Sequence, residues 1–291
     1  MTLEVLSPGP LATVQDAGRR GLAHLGVSAS GAADQRSLRL ANRLVGNPEG
    51  AAAVEATLGQ LSVRFDTSAV IALAGAPCPA RVNGLAVSMY APVRVRAGAV
   101  LELGVPETGL RTYVAVSGGI DVPPVLGARC TDTLSGLGPP VLGSGSRLPV
   151  GAPVGPTPAI DLAPQAAYPA EMRVRLLLGP RDDWFTPQAL ATLTTGRYTV
   201  SHECDRVAVR LSGPVLTRRV DEELKSEACV RGAVQVPPSG QPIVFLADHP
   251  VTGGYPVIGV VAEDDLHLVA QARPGQQLVF RIAASGLAHS E

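Results

Sequence analysis

The sequence predicts a mainly β protein with a few short helices, divided into two halves of similar grammar. Three observations carry that prediction. Turn residues punctuate short apolar or alternating runs every eight to twelve positions or so, roughly the rhythm of a barrel or sandwich. The 291-residue chain holds 32 glycines and 26 prolines, which favours many short strands and turns over long helices. Its length fits two domains of ordinary size. With charged residues at 17% and aromatic residues at 3%, the core must be built from Val, Leu, Ala and Ile.

The first half begins with a strand at residues 3–6, turned by Pro8-Gly9-Pro10. T-V-Q-D-A-G-R-R-G then sets Gln15, Asp16 and Arg19 among glycines. A carboxylate beside a guanidinium forms a forked pair that pins a loop, or the two grip a substrate carboxylate or phosphate. Asp34 to Val45 reads as a helix. Leu38, Ala41, Leu44 and Val45 recur at helical spacing, Asp34 caps the start, and Gly46-Asn47-Pro48 stops it. Asn42, within a turn of that stripe, reads as a buried amide that satisfies local backbone. Glu55, among small apolar residues, reads as a partly buried carboxylate, which requires either an arginine partner or a ligand.

Five strands follow between Leu61 and Val116: L-S-V-R-F, A-V-I-A-L-A, V-R-V, A-V-L-E-L and R-T-Y-V-A-V. A long loop then carries Asp121, Arg129 and Thr131. Between about Val141 and Pro169 the chain is rich in Gly, Pro and Ala with little charge, as a linker is. It separates an N-terminal domain, residues 1–150, from a C-terminal one, residues 170–285.

The second half opens on the strand R-V-R-L-L-L. Thr186 caps a short helix with Pro187 at its first position. Y-T-V and R-V-A-V-R-L are strands, and period two puts Arg206 and Arg210 on one face. Gly232–Pro256 reads as a hairpin of Ala233–Val236 and Ile243–Leu246, turned at Ser239-Gly240. Its second strand delivers Asp248 and His249 to a loop holding Thr252 and Tyr255. There Gly253-Gly254 permit positive φ and close approach of backbone to a ligand. The same loop also reads as a well-made polar turn. Asp264 or Asp265 caps a short helix through Gln271, and L-V-F-R-I closes the sheet.

Net charge is −1, from 24 basic and 25 acidic residues, so nothing points to nucleic acid. Lys225 is the only lysine. There is no G-x-x-x-x-G-K-[ST] phosphate loop, no biotin-accepting lysine motif, and no Ser-Ser-Lys amidase triad without Lys225. Cys78, Cys130, Cys204 and Cys229 lie far apart with no C-x-x-C pair, so their spacing marks neither disulfides nor zinc. The N-terminus lacks the basic flank and apolar core of a signal peptide. No apolar run approaches the ~20 residues of a membrane helix. The chain reads as cytoplasmic.

Six separated motifs, in matching order over about residues 3–282, resemble the KipA family. They are V-Q-D-A-G-R-R-G; S-G-A-A-D with A-N-R-L-V-G-N; E-A-T-L-G; R-T-Y-V-A-V-S-G-G-I-D-V-P-P-V-L-G; C-D-R-V-A-V-R-L-S-G-P; and G-A-V-Q-V-P followed by D-H-P-V-T-G-G-Y-P. The family includes the 5-oxoprolinase C subunit, allophanate hydrolase subunit 2 and the second half of the urea carboxylase carboxyltransferase domain. The resemblance implies two cyclophilin-like β-barrel subdomains and a KipI-like partner (allophanate hydrolase subunit 1, or the 5-oxoprolinase B subunit), with a third lactam-utilisation subunit. It implies ATP, with Mg2+ shared with the complex, no covalent biotin on this chain, and an amide or lactam opened at the expense of ATP. The family also holds a regulatory protein that antagonises a kinase inhibitor, and halves of biotin-dependent carboxyltransferases.

On that resemblance and on side-chain chemistry, Arg206, Asp248, Tyr255 and Asp16 are the candidate catalytic residues. Gln15, Arg19, Asn42, Glu55, Arg111, Gln235, Thr252, Gly253 and Gly254 are the candidates for binding substrate or nucleotide, and no metal ligands are assigned. Arg19, Arg111 and Arg206 would meet phosphoryl charge, and Asp248, Gln235, Asp16 and Tyr255 would orient the amide or move a proton. Three departures from the family pattern stand out. Val207-Ala208 replace Met-Gly, Cys130 replaces Ser, and His249-Pro250 replace Gln-Thr at the mouth of the presumed site. Allophanate hydrolysis by a serine raised by a lysine base is not expected of the isolated chain.

Overall fold

A computed structural model describes residues 1–283, which fall into two compact units, Met1–Tyr168 and the chain from Pro169 onward. The first unit holds strands β1 (Thr2–Ser7), β2 (Leu11–Gln15), β3 (Ala53–Thr57), β4 (Ser62–Phe65), β5 (Ala69–Gly75), β6 (Ala80–Val82), β7 (Leu85–Ala86), β8 (Val93–Val95), β9 (Val100–Leu103), β10 (Arg111–Val116) and β11 (Arg147–Pro149). Its one α-helix among the described residues is α1 (Gln35–Leu44). Two sheets form, in the orders β11-β1-β4-β9-β6-β7 and β2-β3-β10-β5-β8. Val5, Val63, Phe65 and Leu101 of the first sheet pack with Val14, Val54, Ile71 and Val114 of the second in one core.

Strand β10 is buried at all six positions because its two faces serve two cores. Val114 and Val116 face the inter-sheet core, whereas Tyr113 and Ala115 pack under α1. The helix presents Leu38, Ala41 and Leu44 to Ala53, Ala72, Ala74 and Ala115. Those alanines let it approach the sheet closely, and full burial of a leucine there stabilises by roughly 1.5–3 kcal/mol. Asp34 caps α1, accepting from Ser37 N at 3.0 Å.

The second unit holds β12 (Glu171–Leu178), α2 (Pro187–Thr195), β13 (Tyr198–Val200), β14 (Ala208–Ser212), β15 (Glu227–Ala228), β16 (Ala233–Gln235), β17 (Ile243–Phe245), β18 (Thr252–Gly253), β19 (Val257–Val261), α3 (Leu266–Gln271) and β20 (Gln277–Ile282). Seven strands close a barrel in the order β12-β19-β16-β17-β14-β13-β20, sealed by parallel pairing of β20 with β12. Along β12, Met172, Val174 and Leu176 point inward while Arg173 and Arg175 are exposed, the alternation a one-sided sheet requires. Thr186 caps α2 through Ala189 N at 3.1 Å.

The architecture is mainly β with short helices. Closure into a barrel is seen in the second unit; the first builds its core between two sheets. Several local expectations need correction. Inside the stretch read as linker, β11 pairs with β1, and Ala163 N donates to Tyr90 O at 2.8 Å, so this segment packs on the first unit. Low charge and many prolines described a strap as well as they describe a linker. Residues 284–285 of the expected second domain lie outside the described residues. Asp265 makes no side-chain cap on α3. Its carboxylate is held instead by Arg175, whose N, Nε and Nη2 donate at 2.7–2.9 Å. No helix among the described residues is long and apolar enough to cross a membrane.

Candidate active site

In the first unit, three segments meet around the Cys130–Thr131 peptide. Strand β2 lies at the edge of its sheet, and Thr131 N donates to Val14 O at 2.9 Å. That bond docks residues 129–132 beside Gln15. The fully buried Gln15 amide then donates from Nε2 to Thr131 O at 2.8 Å and to Thr13 Oγ1 at 3.0 Å.

Just past β2 the chain turns at Gly18, whose φ is +86°. A Cβ there would stand 2.6 Å from Ala29 O, and one on Gly31 would stand 2.7 Å from Gly18 N. Only glycine tolerates that approach, so the turn lies flat against residues 29–31. The turn also decides the partners of Asp16. One carboxylate oxygen accepts Gly18 N at 2.8 Å and the other accepts Arg129 N at 2.6 Å. The forked Asp16–Arg19 pair that adjacency predicted does not form. Arg19, 2% exposed, reaches past it to donate from Nη2 to Cys130 O at 2.7 Å, with Nη1 3.8 Å from Asp132 Oδ2. Asp132 was not foreseen. It is buried, and accepts from Ser28 Oγ, Leu134 N and Ser135 N at 3.0–3.2 Å. Arg129 pins the loop through Asp121 at 2.7 Å.

Burial, and then the Asp16 charge, push the Cys130 thiol up to about 11. It therefore stays protonated at neutral pH and fills space rather than acting as a nucleophile.

Glu55 sits at the middle of a cross-strand row, with Thr13 on β2 and Tyr113 on β10 directly opposite. Its Oε2 accepts Tyr113 Oη at 2.6 Å and Ala33 N at 3.0 Å, and Oε1 lies 3.6 Å from Arg111 Nε. Tyr113 Oη in turn accepts Asp34 N at 2.8 Å. Burial and the nearby Glu55 and Asp34 charges hold the Tyr113 phenol well above its ordinary pKa. Of the two readings left open for Glu55, the arginine partner is present. Tyr113 is a second residue that sequence reasoning missed, although its period-two spacing from Arg111 places both on the Glu55 face. Asn42 donates to Glu49 O and Ala51 O and accepts from Asn47 Nδ2, all local partners.

In the second unit, Arg206 and Asp248 are completely buried and face each other as a fork, Nε to Oδ2 at 3.0 Å and Nη2 to Oδ1 at 3.1 Å. The pairing of β14 with β17 continues past the strands, with Asp248 N donating to Arg206 O at 3.0 Å, which sets the two side chains in register. Arg206 precedes β14 in a turn held by Asp205, so the period-two match with exposed Arg210 does not apply. Gln235 is buried and donates to Tyr255 O at 3.1 Å. A Cβ on Gly253 would stand 2.6 Å from its Nε2, so the backbone does approach the Gln235 side chain closely. Neither Gly253 nor Gly254, however, adopts the positive φ that the sequence allowed. Thr252 and Gly254 are exposed and Tyr255 is 44% exposed. His249 stacks on Phe245 at 6.0 Å, with Nδ1 2.8 Å from Pro250 O. Strand β18 pairs with β15, and Arg181 holds Glu227 there, keeping that carboxyl below its usual range. The four cysteines are free thiols. Among the described residues no three His, Cys, Asp or Glu side chains gather as a metal site.

The carboxyltransferase domain, subdomain A and B, matches residues 25–282. The chain belongs to that family. Among proteins similar to this family member, the 5-oxoprolinase C subunit of Escherichia coli (strain K12) is 40% identical over 96% of this chain and 90% of its own length. The 5-oxoprolinase C subunit of Haemophilus influenzae is 32% identical, with the same coverage of both chains, 96% and 90%. Urea amidolyase of Lachancea kluyveri is 32% identical over 95% of this chain, which spans only 17% of that larger protein. The crystal structure of K. lactis urea amidolyase aligns with TM-score 0.91 and 29% identity, covering 97% of this chain and 19% of that one. TTHA0988 aligns with TM-score 0.87 and 38% identity, over 96% of this chain and 55% of its own.

Proposed function

We propose that this chain is a component of an ATP-dependent, lactam-opening hydrolase of the 5-oxoprolinase type, acting in the cytoplasm with a KipI-like subunit and a third lactam-utilisation subunit. The observation that carries this reading is the end-to-end match to the 5-oxoprolinase C subunit, 40% identical over 96% of this chain and 90% of that one.

The buried arginines do not fit a nucleotide triphosphate. Arg206 is enclosed and forked onto Asp248, and Arg111 lies against Glu55. A phosphate at either would have to displace a buried carboxylate, leaving that charge without its partner at a cost of roughly 3–5 kcal/mol. Phosphoryl charge is therefore assigned to other groups of the complex, and no step is routed through Arg111 or Arg206. Their role is to position: the Arg206–Asp248 fork anchors the start of the loop that carries Thr252, Gly254 and Tyr255. This chain's contribution to the reaction is to bind and orient the amide.

The test is to assemble this chain with its two partner subunits and measure phosphate and glutamate release with 5-oxoproline. Release of both, dependent on lactam and on every subunit, is the expected result. A stable complex that hydrolyses no ATP in response to 5-oxoproline would remove the reading. A second reading, half of a biotin-dependent carboxyltransferase, is favoured by the 32% identity to urea amidolyase across 95% of this chain. Avidin-sensitive, urea-dependent ATP hydrolysis with an added biotin carrier would establish that one instead.

A further inference from the structure

Buried polar atoms without a partner are rare in folded proteins, and where they gather they mark water or a ligand. Gln15 Oε1, Arg19 Nε and Nη1, Gln35 Oε1, Arg129 Nε and Thr131 Oγ1 are buried without a hydrogen-bond partner. These residues belong to segments bound to one another. Gln15 and Ser30 share Thr131 O at 2.8 and 3.3 Å, Gln35 Nε2 donates to Asp16 O at 3.2 Å, and Arg19 Nη2 holds Cys130 O at 2.7 Å. Gln15, Arg19 and Thr131 are 0%, 2% and 4% exposed.

The two long side chains are also held in place. The Gln15 amide cannot turn over, because Thr131 O accepts from its Nε2 and would be repelled by an oxygen there. Its Oε1 is therefore a fixed acceptor with nothing to accept. Arg19 is anchored through Nη2, which leaves Nε as a fixed donor with nothing to receive it. Acceptor and donors together complement an amide, which offers one N–H and one carbonyl oxygen. A bare anion fits less well, since Asp132 already stands 3.8 Å from Arg19 Nη1 and Gln15 Oε1 repels anionic oxygens.

We infer that this cluster is an amide subsite. Gln15 Oε1 accepts the N–H of a secondary amide or lactam, and the Arg19 guanidinium with the Thr131 hydroxyl donates to its carbonyl oxygen. The choice of a lactam as ligand rests on the hydrolase reading above.

The test compares 2-pyrrolidone with γ-butyrolactone, a lactone of the same shape with a ring oxygen in place of N–H. Binding is measured by calorimetry or ligand-observed NMR on the full chain, alone and with its partner subunits. A site built to pair with an N–H should prefer the lactam by about tenfold or more. Gln15→Leu should abolish that preference, and the near-isosteric Thr131→Val should weaken lactam binding while leaving the preference in place. A wild-type protein that binds both probes equally, or neither in either state, would overturn the subsite and leave the orphaned atoms to water. So would a preference that survives Gln15→Leu. The two readings fail separately. Turnover of 5-oxoproline with an unchanged KM in Gln15→Leu would remove the subsite and keep the hydrolase. A lactam preference without turnover would do the reverse.

Discussion

The two units each bury an arginine close to a carboxylate, and the two sites differ in what remains unmet. In the barrel, Arg206 and Asp248 form a closed fork with both side chains fully buried. In the first unit, Arg19 has Asp132 only at 3.8 Å, and Nε and Nη1 lack hydrogen-bond partners. A buried charge pair costs a large desolvation, which its mutual attraction and hydrogen bonds offset only when the geometry is complete. Buried polar groups left incomplete call for a partner of another kind, water or a ligand. Burial of charge is common to both places, and they differ in their unmet hydrogen bonds, the feature on which the proposed subsite rests.

The largest effect expected from breaking this comparison is in the barrel. Asp248→Ala should cost roughly 3–5 kcal/mol of stability by leaving the Arg206 charge buried without its partner, read as a lower urea midpoint. The apolar double variant Arg206→Met/Asp248→Leu should recover most of the loss. If its folded form also supports turnover in the assembled complex, the pair is architectural; if turnover vanishes, the pair belongs to the chemistry.

A smaller effect is expected at the row beside Glu55. Tyr113→Phe deletes one hydroxyl that both donates to Glu55 and accepts Asp34 N. Leaving those two buried groups short of a partner should cost about 1–3 kcal/mol, seen in thermal melts. A neutral result would mean that water replaces the hydroxyl.

The third effect is silent at neutral pH. The Cys130 thiol is pushed from 9.0 up to about 11 by burial, so the folded state holds a proton that the unfolded state releases first. Its contribution is fully present below pH 9 and is lost as pH rises from 9 towards 11. Cys130→Ser should flatten the fall in melting temperature over that window. An unchanged alkaline slope would assign the fall to other groups.

Much of the fold was legible because it depends on local pattern. Met172, Val174 and Leu176 alternate with Arg173 and Arg175, and Leu38, Ala41 and Leu44 recur on one side of α1. Asp34 and Thr186 were readable as caps because the chemistry of a cap lies within three residues of it. Asp265 failed that same rule when a stronger partner, Arg175, arrived from 90 residues away in sequence. The candidate residues were legible by type, since carboxylates, amides and arginines among apolar neighbours must find partners. The identity of those partners was not. Asp16 sits three positions from Arg19, yet the Gly18 turn gives it to backbone amides. Gln15 acquires its orientation from Thr131, 116 residues along the chain.

By itself, then, the sequence determined the strand rhythm, the short helices, and the caps at Asp34 and Thr186. These follow from side-chain period and from hydrogen bonds between near neighbours. Only the tertiary structure decided that the second unit closes into a barrel, that Arg206 is matched by Asp248, and that Gln15 and Arg19 keep unmet bonds. Each of those outcomes depends on groups far apart in sequence being fixed within about 3 Å of one another, the range over which a hydrogen bond is made or lost.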